Sequence, residues 1–279
     1  MKKIILVLLA FCTSPSFGQL TANDVINKIK AAVNCEWSAE TVDNVKAGDP
    51  NTEVKGIATT FMATLEVLRK ANATGLNFVI THEPTFYSHT DDLSTHADSP
   101  IQQAKLKFIE DNNMVVWRFH DHIHKNNPDM IYEGVIDVFD WKQYRKDGVF
   151  FEIPEMTLAE IVADIETKFG AKTLRTVGDP EEKFTNVGMA LGASGSGSHF
   201  NRLANPATEL LIVGETNEWE TVPYVQDAIS LGYKKALIVM GHADSEEAGM
   251  AYFAKWLQEL YEEVPIKFIE AKNPYWRSK

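Results

Sequence analysis

Three strand-like apolar runs in this chain each end in histidine. Asn77-Phe78-Val79-Ile80 leads to His82-Glu83, the run from Met114 to Phe119 leads to His120-Asp121-His122-Ile123-His124, and the run from Ala236 to Met240 leads to His242-Ala243-Asp244-Ser245-Glu246. Unbroken apolar runs of this length suit strands buried on both faces of a largely parallel sheet. Such a sheet sets the residues just past its strand ends along one rim, where open α/β sheets bind ligands. Imidazoles and carboxylates converging on a rim suit a borderline divalent cation such as zinc, manganese, iron, nickel or cobalt.

Between these runs the spacing predicts helices. Thr21 precedes an amphipathic segment with Val25, Ile26 and Ile29, and Leu65, Val67 and Leu68 belong to another that stops near Gly75. Ile101, Leu106, Phe108 and Ile109 mark a helix that breaks at Asp111-Asn112-Asn113 before the second histidine run. Thr157-Leu158-Ala159-Glu160 is a capping box, and its helix stops at Gly170. Pro223 sits where a first helical turn tolerates a missing amide, ahead of a stop at Gly232. The last long helix carries Met250, Phe253, Trp256, Leu257 and Leu260 at three- and four-residue spacing, a stripe for core packing. Alternation of this kind predicts an α/β fold. Because helix, strand and histidine recur in both halves, two α/β lobes facing a shared cleft explain the pattern.

Composition excludes some classes. At 279 residues, 44% hydrophobic and 24% charged, the chain can bury one large core or two medium ones. A net charge of -12 argues against a broad basic surface for nucleic acid. Lys2-Lys3, the apolar run Ile4 to Phe11 and the small polar residues through Gly18 predict a secretory signal over 1–18, and hence a periplasmic or secreted protein. Phe11 before Cys12 argues against lipidation. Cleavage after Gly18 leaves Cys35 as the lone cysteine, which excludes an intramolecular disulfide. No later apolar run approaches membrane-spanning length, so no membrane contact is expected after cleavage.

Several short stretches, in order, resemble the motifs of one family: Glu36-Trp37, Asp43-Asn44-Val45, Gly48-Asp49-Pro50, Val54-Lys55-Gly56-Ile57, Thr81-His82-Glu83-Pro84, Val213-Gly214-Glu215 and Gly241-His242 through Glu246. The chain resembles the NGG-interacting-factor-three-like dinuclear metal centre family, whose members are often labelled GTP cyclohydrolase I type 2 homologues. The resemblance covers nearly all of the chain after residue 18. It implies two α/β lobes, with mixed or mainly parallel sheets, facing a cleft that holds two metal ions, and a ring-shaped homohexamer. The lobes divide as 19–130, then 131–185 as the connecting part of the second lobe, with 186–279 completing the cleft.

Carried over residue by residue, His82 matches the first histidine of the family's His-His-Pro and Glu83 replaces the second. His120 matches the histidine after the second strand, and His124 stands where the family usually has aspartate. His242 and Glu246 match the C-terminal ligand pair. Both departures exchange one competent ligand for another, and His124 for a carboxylate favours nitrogen-loving metals over magnesium or calcium. Two cations a few ångströms apart repel, so a bridging group is needed, and Glu246 and Glu83 are the candidates.

Other positions stay open. In an extended strand end His120 and His122 share one face and Asp121 orients an imidazole; if the chain turns there, the assignment fails. Asp244 or Ser245 is expected to cap the last helix. His89, His96 and His199, with no preceding strand, are expected at the surface. The Gly/Ser-rich stretch 192–198 lacks a Walker ending and an evident following helix, leaving a flexible turn or a substrate contact. Glu215 is a general base, an outer carboxylate near the metals or a simple strand-end acid.

Together these features predict an exported metal-dependent hydrolase acting on a small-molecule substrate, with Glu83 or Glu215 relaying the proton. The family label implies opening of a guanine-type ring, although GTP is scarce outside the cytoplasm. The other reading is a non-catalytic metal- or ligand-binding oligomeric scaffold.

Overall fold

In a computed structural model, which describes residues 19–278, helices and strands alternate as the spacing predicts. The expected signal segment lies outside the described residues. The chain begins with α1 (Ala22–Ala32), β1 (Val45–Ala47), β2 (Ile57–Met62), α2 (Leu65–Ala73), β3 (Phe78–Glu83), α3 (Pro100–Asp111), β4 (Val115–Arg118) and α4 (Asp121–Lys125). It continues through α5 (Met130–Phe139), β5 (Arg145–Asp147), β6 (Phe150–Thr157), α6 (Leu158–Phe169), β7 (Arg175–Val177), β8 (Lys183–Ala190) and α7 (Ser196–Leu203). It closes with β9 (Leu210–Val213), α8 (Thr221–Ser230), β10 (Ala236–Val239), α9 (His242–Leu260) and β11 (Ile266–Phe268). No helix among the described residues is long and apolar enough to cross a membrane.

Local signals fix several helix ends. Thr21 with Asp24 and Thr157 with Glu160 form capping boxes, and Thr64 caps α2 by accepting the Val67 amide. Gly170 ends α6 in the left-handed conformation, at φ +65°.

The strands form two mixed sheets. The first has the order β1-β4-β3-β2-β11, with β2, β3, β4 and β11 parallel and β1 antiparallel at its edge. The second has the order β5-β6-β8-β9-β10-β7, with parallel β8, β9 and β10 flanked by antiparallel β6 and β7. Every residue of β3, β4, β9 and β10 is buried, which is why β9 and β10 are wholly apolar and β3 and β4 open on apolar runs before their polar ends.

Two helices tie the sheets together. The start of α5 places Met130 and Ile131 in the core of the first sheet, and its end places Val135, Ile136 and Phe139 in the core of the second. Across it runs α9, whose Met250, Phe253 and Leu257 pack under the first sheet. Fully burying a side chain such as Phe253 contributes roughly 1.5–3 kcal/mol. The crossing is close: a Cβ on Gly249 would lie 2.4 Å from Ile131 Cα, and one on Gly134 would lie 2.4 Å from the Ala248 carbonyl oxygen. After α9 the chain returns to the first sheet, where β11 pairs with β2, Ile266 opposite Ile57. Of the three histidine-bearing strand ends, two therefore belong to neighbouring strands of the first sheet. The third arrives from the second sheet at the start of the bridging helix.

Candidate metal centre

His82 and Glu83 are the last two residues of β3, both buried, and β4 delivers His120. After β4 the chain turns at once into α4 rather than staying extended. The cause is Asp43, whose Oδ1 accepts the amides of His120 at 2.6 Å and Asp121 at 2.9 Å and whose Oδ2 accepts that of His122 at 2.9 Å. A carboxylate from a distant segment thus satisfies the orphan amides of a helix start.

This turn decides the open assignments. His120 and His124, four apart, share one face of the turn, with ring centroids 5.2 Å apart. The pairing of His120 with His122 expected for an extended strand end does not occur. His122 points the other way, its Nδ1 2.7 Å from Asp43 Oδ2 and its Nε2 accepting the Ser38 amide at 2.8 Å, with its ring stacked 3.7 Å from Trp37. Asp121 does orient an imidazole, since its Oδ1 lies 3.0 Å from His120 Nδ1.

The second sheet contributes His242 and Glu246, four apart on the first turns of α9. Neither Asp244 nor Ser245 caps this helix, contrary to expectation. Asp244 Oδ2 accepts from the Asn273 side chain at 2.6 Å, while Ser245 Oγ donates to the His242 carbonyl at 2.8 Å and accepts the Gly192 amide at 3.1 Å. The Gly/Ser-rich stretch runs into a helix after all, α7, which starts inside it just beyond Gly195. Its first glycine packs on the cluster: a Cβ on Gly192, at φ +60°, would fall 2.1 Å from Glu246 Oε1.

Four imidazoles share one orientation. Nδ1 of His82 bonds the Phe119 carbonyl at 3.3 Å, that of His120 bonds Asp121, that of His124 bonds Asp129 Oδ2 at 2.9 Å and that of His242 bonds Glu215 Oε1 at 2.9 Å. An acceptor on Nδ1 holds its proton there and leaves Nε2 as a lone-pair donor, the arrangement that sets histidine ligands to metals. The Nε2 atoms face Glu83 and Glu246. Glu83 Oε1 lies 3.6 Å from His120 and 3.3 Å from His242. Glu246 Oε2 lies 3.3 Å from His82 and 3.0 Å from His242, with Oε1 3.8 Å from His124.

The ligating atoms of His82, His120 and His124 lie within 4.8 Å of one another, as do those of His82, Glu83 and Glu246. His82 Nε2, fully buried, has no hydrogen-bond partner among the described residues, although Glu246 Oε2 lies 3.3 Å away. A buried imidazole lone pair between carboxylates and other imidazoles fits a borderline divalent cation.

The electrostatics agree. Burial alone would raise the pKa of Glu83, but the His242 hydrogen bond and the imidazoles of His82 and His120 outweigh it and hold Glu83 down at about 2. Burial is likewise outweighed at Glu246, which His242 and His82 keep well below the usual carboxylate range. Burial disfavours charge on His242, yet Glu215, Glu246 and Glu83 together push it up to about 12. Burial and the neighbouring His82 lower His120 to about 4, so it stays neutral. Three carboxylates thus hold a positive charge at one point, a proton on His242 or a cation in its place.

All six residues expected to bind metal are therefore brought together, with Glu215 beside them. His89 and His96 are exposed as expected, but His199 is fully buried, its Nδ1 2.9 Å from Thr221 Oγ1 and its Nε2 3.3 Å from Ser194 Oγ. Sequence reasoning missed Asp129 and the role of Asp43. The first carried a signal, since an acid directly before a helix start is a capping residue. A cleft of about 820 Å³ opens beside the cluster, lined by Phe61, Met62, Glu215, His242, Tyr275 and Trp276 among others.

The sequence profile of the family described as Duf34/NIF3 (NGG1p interacting factor 3) matches residues 20–274. A protein of Clostridium perfringens (strain 13 / Type A) named GTP cyclohydrolase 1 type 2 homolog is 26% identical over 277 residues, 91% of this chain and 98% of that protein. Among solved structures, a Staphylococcus aureus hypothetical protein superposes with a TM-score of 0.73 at 16% identity, covering 94% of this chain and 100% of its own. A Bacillus cereus protein related to NIF3 gives a TM-score of 0.68 at 12% identity, covering 94% and 100%. These two structural likenesses carry the fold.

Proposed function

Because this chain belongs to the Duf34/NIF3 family, we propose that its histidine–glutamate cluster holds two divalent cations and that the protein is a metal-dependent hydrolase of a small molecule. The observation that carries this reading is the common orientation of the four imidazoles, each tied at Nδ1 so that Nε2 faces Glu83 and Glu246. His82, Glu83, His120, His124, His242 and Glu246 would hold the cations, with zinc, manganese, iron, nickel or cobalt preferred for this nitrogen-rich donor set. Glu246 faces different imidazoles with its two oxygens, which suits a bridging carboxylate.

Bound there, two divalent cations would lower the pKa of a water and polarise a carbonyl, amidine or phosphoryl group. The chain supplies the rest. Glu215, an exposed wall residue of the cleft, is kept ionised by the His242 hydrogen bond, against the opposing pull of burial, and takes a proton at its carboxylate. Glu83, enclosed between His120 and His242, contributes charge rather than proton transport. Phe61, Tyr275 and Trp276 give the cleft an aromatic lining, with Tyr275 and Trp276 exposed at its mouth.

The test is a substrate panel of amides, esters, cyclic amidines and phosphate esters, the cyclic amidines chosen because of the Clostridium perfringens relative's name. The reading requires cleavage of at least one class, abolished by a chelator and restored by metal. Metal-loaded protein that cleaves none contradicts it.

The proposal extends to place and assembly. Lys2-Lys3 and the apolar run after it support export to the periplasm or beyond. Mature protein beginning at Gln19 in the exported fraction is the expected result, and full-length protein confined to the cytoplasm contradicts it. A homo-oligomer, with the hexamer as the specific form, is expected from light scattering; a monomer contradicts it.

A further inference from the structure

A second cavity, of about 420 Å³, lies between the exit of β3 and the start of α2, lined by Thr64, Leu65, Thr85, Tyr87 and Lys105 among others. Met62 lines both this cavity and the cleft beside His242. Three sets of donors border it. Lys105, on α3, is 3% exposed, and no carboxylate pairs with it among the described residues; its Nζ donates to the Thr85 carbonyl at 2.5 Å. Two of its three ammonium protons have no such acceptor. Thr85 is 1% exposed, and its Oγ1 has no hydrogen-bond partner among the described residues. At the start of α2, Thr64 Oγ1 takes the Val67 amide, which leaves the amides of Leu65 and Glu66 without an intrahelical acceptor.

We propose that this cavity is an oxyanion subsite, in which Lys105, the Thr85 hydroxyl and the first-turn amides of α2 bind a carboxylate or phosphate group. A desolvated ammonium, an unpaired hydroxyl and a helix N-terminus all lack the same thing, an anionic oxygen. Burial, only partly opposed by Asp91, pushes the Lys105 pKa down to about 8, the cost of an ammonium without a counter-ion. Phe86 and Tyr87 place their rings 5.6 and 5.5 Å from Nζ and hold the charge in place without neutralising it. Resting on the metal-dependent reading, the subsite further assigns the substrate class: a small molecule with an anionic group beside its reacting bond.

The test is calorimetric titration of the protein as purified with inorganic phosphate and, separately, acetate. Wild type should bind at least one of them, phosphate the tighter if the natural group is phosphoryl and acetate the tighter if it is a carboxylate. Lys105→Met should weaken that binding by about 10- to 100-fold, and Thr85→Val, which keeps the side-chain shape, by several-fold. Anion taken up by the metal centre itself is separated by chelator treatment, after which the Lys105-dependent binding should persist. Binding that survives both Lys105→Met and Thr85→Val, or that chelation alone removes, overturns the proposal, as does wild type that binds neither anion. Should Lys105→Met fail to fold, Thr85→Val alone decides between these outcomes. Lys105-dependent binding by protein that carries no metal would support the subsite while removing the metal reading, so the two fail separately.

Discussion

Asp129 holds His124 with one carboxylate oxygen and caps α5 with the other. Its Oδ2 lies 2.9 Å from His124 Nδ1, while Oδ1 accepts the Ile131 amide at 2.8 Å and the Tyr132 amide at 3.2 Å. One side chain thus couples the start of a core helix to the aim of an imidazole.

The two roles separate by substitution. Asparagine keeps a capping oxygen, but its nitrogen cannot accept from the His124 Nδ1 proton, so Asp129→Asn should lower metal affinity by about 10- to 100-fold with little loss of stability. Asp129→Ala should add a stability loss of about 1 kcal/mol. Metal titration and chemical denaturation check the pair. Wild-type metal affinity in Asp129→Asn would show that the contact with His124 does not set the ring.

Gly192 tests the packing behind Glu246. A methyl group there meets a carboxylate oxygen at 2.1 Å on a backbone with positive φ, so either the loop or Glu246 must move. Gly192→Ala should cost about 1–3 kcal/mol and reduce metal binding together. Unchanged melting temperature and metal content would show that the loop yields freely.

Lys105 gives a pH signature. Its folded value of about 8 lies below the ordinary 10.5, so between these pH values the unfolded chain binds the extra proton. Stability contributed by this residue therefore rises with pH across that window, by an amount on the order of 3 kcal/mol, and is constant below it. Denaturation curves of wild type minus Lys105→Met should show this rise. Parallel curves from pH 8 to 10.5 would contradict it.

Much of this was legible in the sequence where the signal is local. Apolar runs such as Ala236–Val239 announce buried strands, and the residues that follow them fall on the rim. Helix ends at Thr21, Thr157 and Gly170 follow from their own side chains and backbone. What stayed hidden depends on partners far along the chain. Whether His120 pairs with His122 or His124 is decided by Asp43, 77 residues away from His120, and the burial of His199 by Thr221 on another helix. The closing pairing of β11 with β2 is likewise a tertiary choice, which no short pattern records.

The central claim is that Nε2 atoms from both sheets converge on a pair of cations. Elemental analysis of untagged protein, wild type beside His242→Ala and Glu246→Ala, tests it most directly. About two equivalents of transition metal per chain are expected in wild type, with half or all of it lost in each variant at an unchanged fold. Wild-type protein that retains no metal after equilibration with zinc, manganese, iron, nickel and cobalt, or variants that retain the full complement, would contradict the account.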